Sequence, residues 1–154
     1  MSDDLNELYG EMIMDHNHSP RNFRVMADAN HRIEGHNPLC GDRITVFLKT
    51  DGDIIKDVSF QGSGCAISKS SASVMTTVLK GKTIHDAKAL FTEFRQLIIE
   101  GRGNTEHLGK LATFSGVHKF PARVKCAILA WHALSSALEG NGGVVSTENG
   151  APVI

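Results

Sequence analysis

A chain of 154 residues, 41% hydrophobic and 21% charged, is long enough for one domain with a real core and short for two. Its formal net charge of −1, with no long basic run, gives nucleic acid and anionic membranes little to hold. No apolar stretch approaches the roughly 20 residues of a membrane span. The acidic start MSDDLNELYG lacks the basic-then-apolar layout of a signal peptide. A cytoplasmic protein is expected, with no nucleic-acid or membrane partner. In a reducing compartment the three cysteines, Cys40, Cys65 and Cys126, are expected to be free, metal-bound or catalytic, not disulfide-bonded.

In chain order, Leu5, Leu8, Tyr9, Met12 and Ile13 recur at three- and four-residue steps, which predicts an amphipathic first helix over Leu5 to Met14. The polar run HNHSPRNF should end it, followed by irregular chain with a short strand near Ile33. RITVFLKT alternates, with Ile44, Val46 and Leu48 on one face. Asp51-Gly52 is a strong two-residue hairpin signal, and IIKDVSFQG continues with Ile54, Val58 and Phe60 on one face. Cys65 to Lys80 reads as a helix stopped by Gly81, although its many Ser and Thr are mediocre helix formers. Thr83 with Asp86 resembles a capping box, opening a helix striped by Ile84, Ala87, Leu90, Phe94, Leu97 and Ile98 and stopped by Gly101. KLATFSGV can hold another turn or two. Pro121 is placed as the first residue of a last helix with the stripe Val124, Ala127, Ile128, Trp131, Leu134 and Leu138. Residues 1–139 thus form one domain, and the Gly-rich segment 140–154 is expected to be a flexible tail.

The hairpin brings distant residues together. With Thr50 paired to Asp53 across the turn, Asp42 faces Gln61 and Cys40 lies opposite Ser63, so Cys40, Asp42 and Cys65 share one open end. Cys65 stands where a strand enters a helix through glycines, near free backbone N–H groups and the positive end of the helix dipole, and both favour a thiolate. Cys126 sits in the second turn of the last helix, about 200° around the axis from Val124. That puts it off the main stripe, on a narrow line with Ala122, Ala130, Ala133 and Ala137, with Arg123 on roughly its side. Each residue also has an ordinary reading. A lone cysteine is commonly a small buried hydrophobe, Asp42 a turn former, and each of the eight histidines a surface imidazole. For Cys40 the flanking Pro38, Gly41 and Asp42 argue against burial.

Taken together, NPLCGD, GSGCAISKSSAS and FPARVKCAILAWHAL resemble the three motifs of the NifU N-terminal/IscU superfamily of iron–sulfur cluster assembly proteins. The resemblance runs from Leu5 to Leu138 and is closest to the SufU-type branch. Lys125 stands where the IscU-type scaffold has a histidine, and a long connection separates Cys65 from Cys126; both match the SufU-type pattern. The resemblance implies a single α+β domain, with a small antiparallel sheet of about three strands packed against helices on one face. It implies a metal site at Cys40, Asp42, Cys65 and Cys126, holding zinc or, alternatively, iron or a transient iron–sulfur cluster. Zinc with three thiolates and an aspartate would carry a formal charge of about −2, to which Arg123 or Lys125 would be electrostatically useful. It also implies a pyridoxal-phosphate cysteine desulfurase (SufS-type) as partner, with downstream cluster assembly machinery, and sulfur transfer through Cys40 as acceptor. A cluster scaffold using the same ligands is the alternative, and a structural zinc module without chemistry is a third.

Overall fold

In the computed structural model, which describes residues 10–38, 41–103 and 105–139 and the backbone of 143–146, helices cover one face of a small mixed sheet. The elements in chain order are α1 (Glu11–His18), β1 (His31–Asn37), β2 (Asp42–Asp51), β3 (Ile54–Ser63), α2 (Ala66–Leu79), α3 (Ile84–Glu100), the short α4 (Thr105–Leu108), a 3-10 segment (Gly109–Lys119), α5 (Pro121–Leu138) and β4 (Gly143–Ser146). The strand order is β3-β2-β1-β4. The expected α+β class and the antiparallel strands β1 to β3 are present. A fourth strand joins them. β4 runs parallel to β1, with Ile33 opposite Gly143, so four residues of the segment read as a flexible tail are a sheet edge. Among the described residues, no helix is long and apolar enough to cross a membrane.

The hairpin forms as expected but in a different register. Asp51 pairs with Ile54, so the two loop residues are Gly52 and Asp53, and Gly52 takes φ +58° at the first loop position. That position favours glycine in a two-residue hairpin turn. A bulge then shifts the ladder between Lys49 and Thr50, beyond which Lys49 pairs with Asp57 and Arg43 with Ser63. The bulge also moves the inner face by one residue, so that Ile55, and not Ile54, is buried with Val58 and Phe60. Asp42 consequently does not face Gln61. It lies past the end of the β2–β3 ladder and pairs with Asn37 of β1.

The helices explain themselves locally. Thr83 caps α3 by accepting the Asp86 N–H at 3.0 Å, and Gly101 ends it in the left-handed region at φ +73°. α1 spans Glu11–His18, running past the expected stop, because His16 turns inward: its ring Nδ1 lies 2.6 Å from the Ser73 hydroxyl of α2. Residues 1–9, where the expected first helix begins, lie outside the described residues.

α2 has weak helix formers yet is buried almost all round. Its hydroxyls are satisfied locally or across interfaces: Ser70 donates to the Ala66 carbonyl and Ser71 to the Ala127 carbonyl of α5, each at 2.6 Å. Small side chains here let neighbouring helices close in. α5 is the central helix. Every residue from Cys126 to Ala137 is buried, not only a stripe. Trp131 sits between Phe91 and Phe94 of α3, with ring centroids 6.0 and 4.9 Å away. A buried aromatic of this kind contributes about 3–5 kcal/mol against truncation to alanine.

Candidate metal centre

Three packing decisions converge at the end of the sheet where β2 begins. α5 crosses β1 at Gly35, where an added Cβ would stand 3.0 Å from Leu129 Cδ1 and 3.3 Å from the Leu129 carbonyl oxygen. One turn earlier on the helix, Cys126 then falls beside Asn37, two residues further along the strand. From the other side β3 runs out at Ser63, and Cys65 becomes the N-cap of α2, its sulfur accepting the Ser68 N–H at 3.4 Å. Asp42 opens β2 and is almost fully buried. Its Oδ1 accepts the Cys65 N–H at 3.0 Å, tying the strand's first residue to the helix cap.

The result is a cluster in which one Asp42 oxygen and the Cys65 and Cys126 sulfurs all lie within 4.8 Å of one another. Among the described residues neither sulfur is in a disulfide. Three of the four residues expected at the site are therefore brought together, from three separate elements. The fourth, Cys40, lies outside the described residues. Arg123 and Lys125, the two cations expected beside the site, are half-buried in the first turns of α5, both shortly before Cys126 in sequence.

The two thiols divide their protons unequally. The Cys126 thiol donates to the Cys65 sulfur, and with the Ser68 N–H this outweighs burial and brings Cys65 down to about 6. Cys126 is pushed up, first by giving its proton to Cys65 and then by its own burial. The Ala122 carbonyl, 3.7 Å from the Cys126 sulfur, offers that proton a second acceptor. The expectation of a thiolate at Cys65 thus has a geometric cause, the helix cap, and a second that sequence could not supply, the neighbouring thiol.

The donor set fits a borderline-soft ion such as zinc, which takes thiolate and carboxylate ligands in tetrahedral sites. Sulfurs on one zinc at about 2.3 Å stand roughly 3.8 Å apart, so a cluster within 4.8 Å needs only a small contraction. A buried polar atom marks the same place. The Ser68 hydroxyl, 1% exposed, has no hydrogen-bond partner among the described residues, and its Cβ lies 3.2 Å from where a Cβ on Gly64 would stand, itself 2.9 Å from Asp42 Oδ1. Sequence reasoning did not single out Asn37. Its side chain is fully buried, with Nδ2 3.5 Å from Asp42 Oδ2 and 3.6 Å from the Cys126 sulfur. The β1–β2 pairing that brings it there was not legible before the fold.

A sheet backed by helices on one face, with a buried sulfur–carboxylate cluster where a strand, a helix cap and the last long helix meet, defines an α+β domain with a candidate metal centre. Over residues 8–139 the chain matches the NifU-like N terminal domain, and it belongs to that family. It is 43% identical over 148 residues, 95% of each chain, to the zinc-dependent sulfurtransferase SufU of Bacillus subtilis (strain 168). It is 39% identical over 137 residues, 88% of this chain and 85% of the relative, to the iron–sulfur cluster assembly scaffold protein IscU of Streptococcus pyogenes serotype M1. Its fold superposes with a TM-score of 0.81 on a crystal structure described as that of a candidate iron–sulfur cluster assembly scaffold protein for the SUF system from Fervidobacterium islandicum AW-1. The two are 36% identical, over 85% of this chain and 96% of that one.

Proposed function

We propose that this protein is a zinc-dependent sulfur acceptor of cytoplasmic iron–sulfur cluster assembly. In this reading Cys40, Asp42, Cys65 and Cys126 hold the zinc, and Cys40 receives sulfur from a pyridoxal-phosphate cysteine desulfurase before passing it to the downstream assembly machinery. The observation that carries the reading is the buried Asp42, Cys65 and Cys126 cluster, with donor atoms within 4.8 Å. The similarity to the sulfurtransferase SufU along nearly the whole chain supports it.

The transfer itself is a thiol–disulfide type exchange. The Cys40 thiolate attacks the terminal sulfur of the desulfurase persulfide. A new S–S bond forms on Cys40 as the old one breaks. The electron pair of the broken bond leaves with the desulfurase cysteine as thiolate, and the sulfane proton stays on the transferred sulfur. No outside oxidant or reductant is needed. Bound zinc would keep the ligand thiols deprotonated and protected from oxidation between transfers. The chain contributes placement: Cys65 is fixed by a helix cap and Cys126 by a packed helix. Cys40 is assigned the acceptor role because in sequence it stands between Pro38 and Gly41, residues that favour a turn.

A scaffold role, with a transient iron–sulfur cluster on the same residues, is the second reading. The 39% identity to the Streptococcus pyogenes scaffold favours it, and thiolates suit either metal. Purification without added metal, elemental analysis and a desulfurase assay separate the two. Near-stoichiometric zinc, faster sulfide release and a first persulfide on Cys40 by mass spectrometry are expected. Cys40→Ser should abolish the stimulation with a near-native fold, whereas Cys65→Ser and Cys126→Ser should lose zinc. A brown protein with a labile cluster would favour the scaffold. A zinc protein without effect on the desulfurase would leave a structural module.

A further inference from the structure

We propose that Asn37 is a positioning residue of this centre: its side-chain amide donates N–H to both Asp42 and Cys126, holding these two donors together at the meeting point of β1, β2 and α5, and thereby raises affinity for zinc. The inference rests on the zinc reading above but concerns a residue outside its ligand set.

Asn37 ends β1, directly opposite Asp42 in the β1–β2 ladder, and it is 0% exposed. One amide nitrogen carries two hydrogens, and here it has two acceptors within reach. Asp42 Oδ2 is 3.5 Å away, at the long end for N–H···O, and the Cys126 sulfur is 3.6 Å away, ordinary for a sulfur acceptor. Its main chain is equally committed. The Asn37 carbonyl accepts the Gly41 N–H at 2.8 Å, returning the chain on itself within four residues, just before Asp42.

The arrangement completes a pattern. Cys65 N–H serves Asp42 Oδ1, Ser68 N–H serves the Cys65 sulfur, and Asn37 reaches the remaining carboxylate oxygen and the Cys126 sulfur. Every donor atom of the described cluster therefore faces an uncharged N–H. When a metal binds, the thiols and carboxylate must be anionic together, and buried anions are tolerated only with such donors around them. A neutral amide stabilises that charge without adding a cation that would compete with the metal. Groups that orient and support metal ligands in this way are typically worth tenfold to a hundredfold in metal affinity.

A structural role and this role part where folding and zinc affinity are measured separately. Leucine keeps the branched outline without a polar atom, though it is bulkier, so the metal-free variant should still fold, with native circular dichroism. Zinc affinity, measured by competition with a chromophoric chelator, should nevertheless fall about tenfold to a hundredfold in Asn37→Leu and in Asn37→Ala. An affinity within threefold of the parent in both variants would overturn the proposal. So would failure of both metal-free variants to fold, because Asn37 would then be a structural residue. A parent chain that takes up no zinc would sink the zinc reading first, and this inference with it.

Discussion

Alkylation of the metal-free protein should single out Cys65 by its pH profile more than by its rate. The Cys65 thiol stands at about 6, because the Cys126 thiol and the Ser68 N–H both donate to its sulfur. Against a reference thiol near 8.5, this makes Cys65 about 90% thiolate at pH 7 where the reference is about 3%. A less basic thiolate is also a weaker nucleophile, by about tenfold over this interval for a Brønsted slope of 0.4–0.5. The two effects nearly cancel at neutral pH, leaving Cys65 only about twofold faster than the reference. At pH 5.5 they do not cancel, and Cys65 should react about twentyfold faster than the reference. The assay is iodoacetamide labelling of chelator-treated protein from pH 5 to 9, with each cysteine followed by peptide mass spectrometry. Cys65 should reach its plateau by pH 7, and Cys126 should stay unreactive while the fold holds. Cys126→Ala removes the largest cause of the shift and should move the Cys65 midpoint upward. A Cys65 rate that climbs through pH 8 like an ordinary thiol, or a Cys126 that labels first, would refute the proton assignment.

Three other outcomes follow from the same geometry. Chelating zinc should lower the melting temperature by about ten degrees, since a ligand at a thousandfold above its Kd adds about 4 kcal/mol and a chain of this size moves about 2–4 °C per kcal/mol; an unchanged melt after verified metal removal would contradict it. Gly64→Ala places a Cβ 2.9 Å from Asp42 Oδ1, so it should weaken zinc binding at least tenfold in a chelator competition while circular dichroism stays native; parent-like affinity would show that Asp42 moves freely. His132 is 4% exposed and held at about 4 by burial first and by Arg95 second, so the unfolded chain takes up a proton that the native one refuses. Stability should therefore fall as pH drops from about 6.5 towards 4, by about 3 kcal/mol in all, and His132→Gln should flatten that slope in urea titrations; equal slopes would remove His132 as the cause.

Much of the fold was legible wherever one residue type has one local use. Thr83, Asp86, Gly101 and Pro121 each mark a helix end by their own chemistry, and each stands where it was expected. What failed depended on partners. The hairpin turn was placed one residue early, because Asp51-Gly52 and Gly52-Asp53 both satisfy a two-residue loop and only the pairing of Asp51 with Ile54 decides between them. The bulge at Lys49/Thr50 has no local signature in the sequence, yet it changes which isoleucine is buried. His16 and His132 were read as surface imidazoles, because nothing nearby in sequence announces Ser73 or the packing of α3 on α5. On α5 the line off the main stripe is buried too at Ala130, Ala133 and Ala137, because the helix packs between sheet and helices, and only Ala122 at its start is exposed.

The candidate site follows the same division. The approach of Cys65 to Asp42 was readable, since a thiol at a strand-to-helix junction and a carboxylate at a strand start both fall at the open end of one hairpin. The wrong register still put Asp42 near Cys65, because a slip of a few residues in a hairpin leaves the open end open. What no register could supply was Cys126, whose arrival depends on Gly35 admitting α5 against β1 at Leu129. The cluster is therefore assembled by the core and not by a contiguous loop. Cysteine and aspartate side chains from β2, α2 and α5 reach one another only when the sheet, the helix cap and the central helix are all in place. A metal held there would bind the folded state and not the unfolded chain, so metal affinity and folding would be linked through the same contacts. A site that also took up and released sulfur would need one ligand outside that constraint. In sequence Cys40 falls between β1 and β2, and it is the expected ligand to which the proposed acceptor role is given.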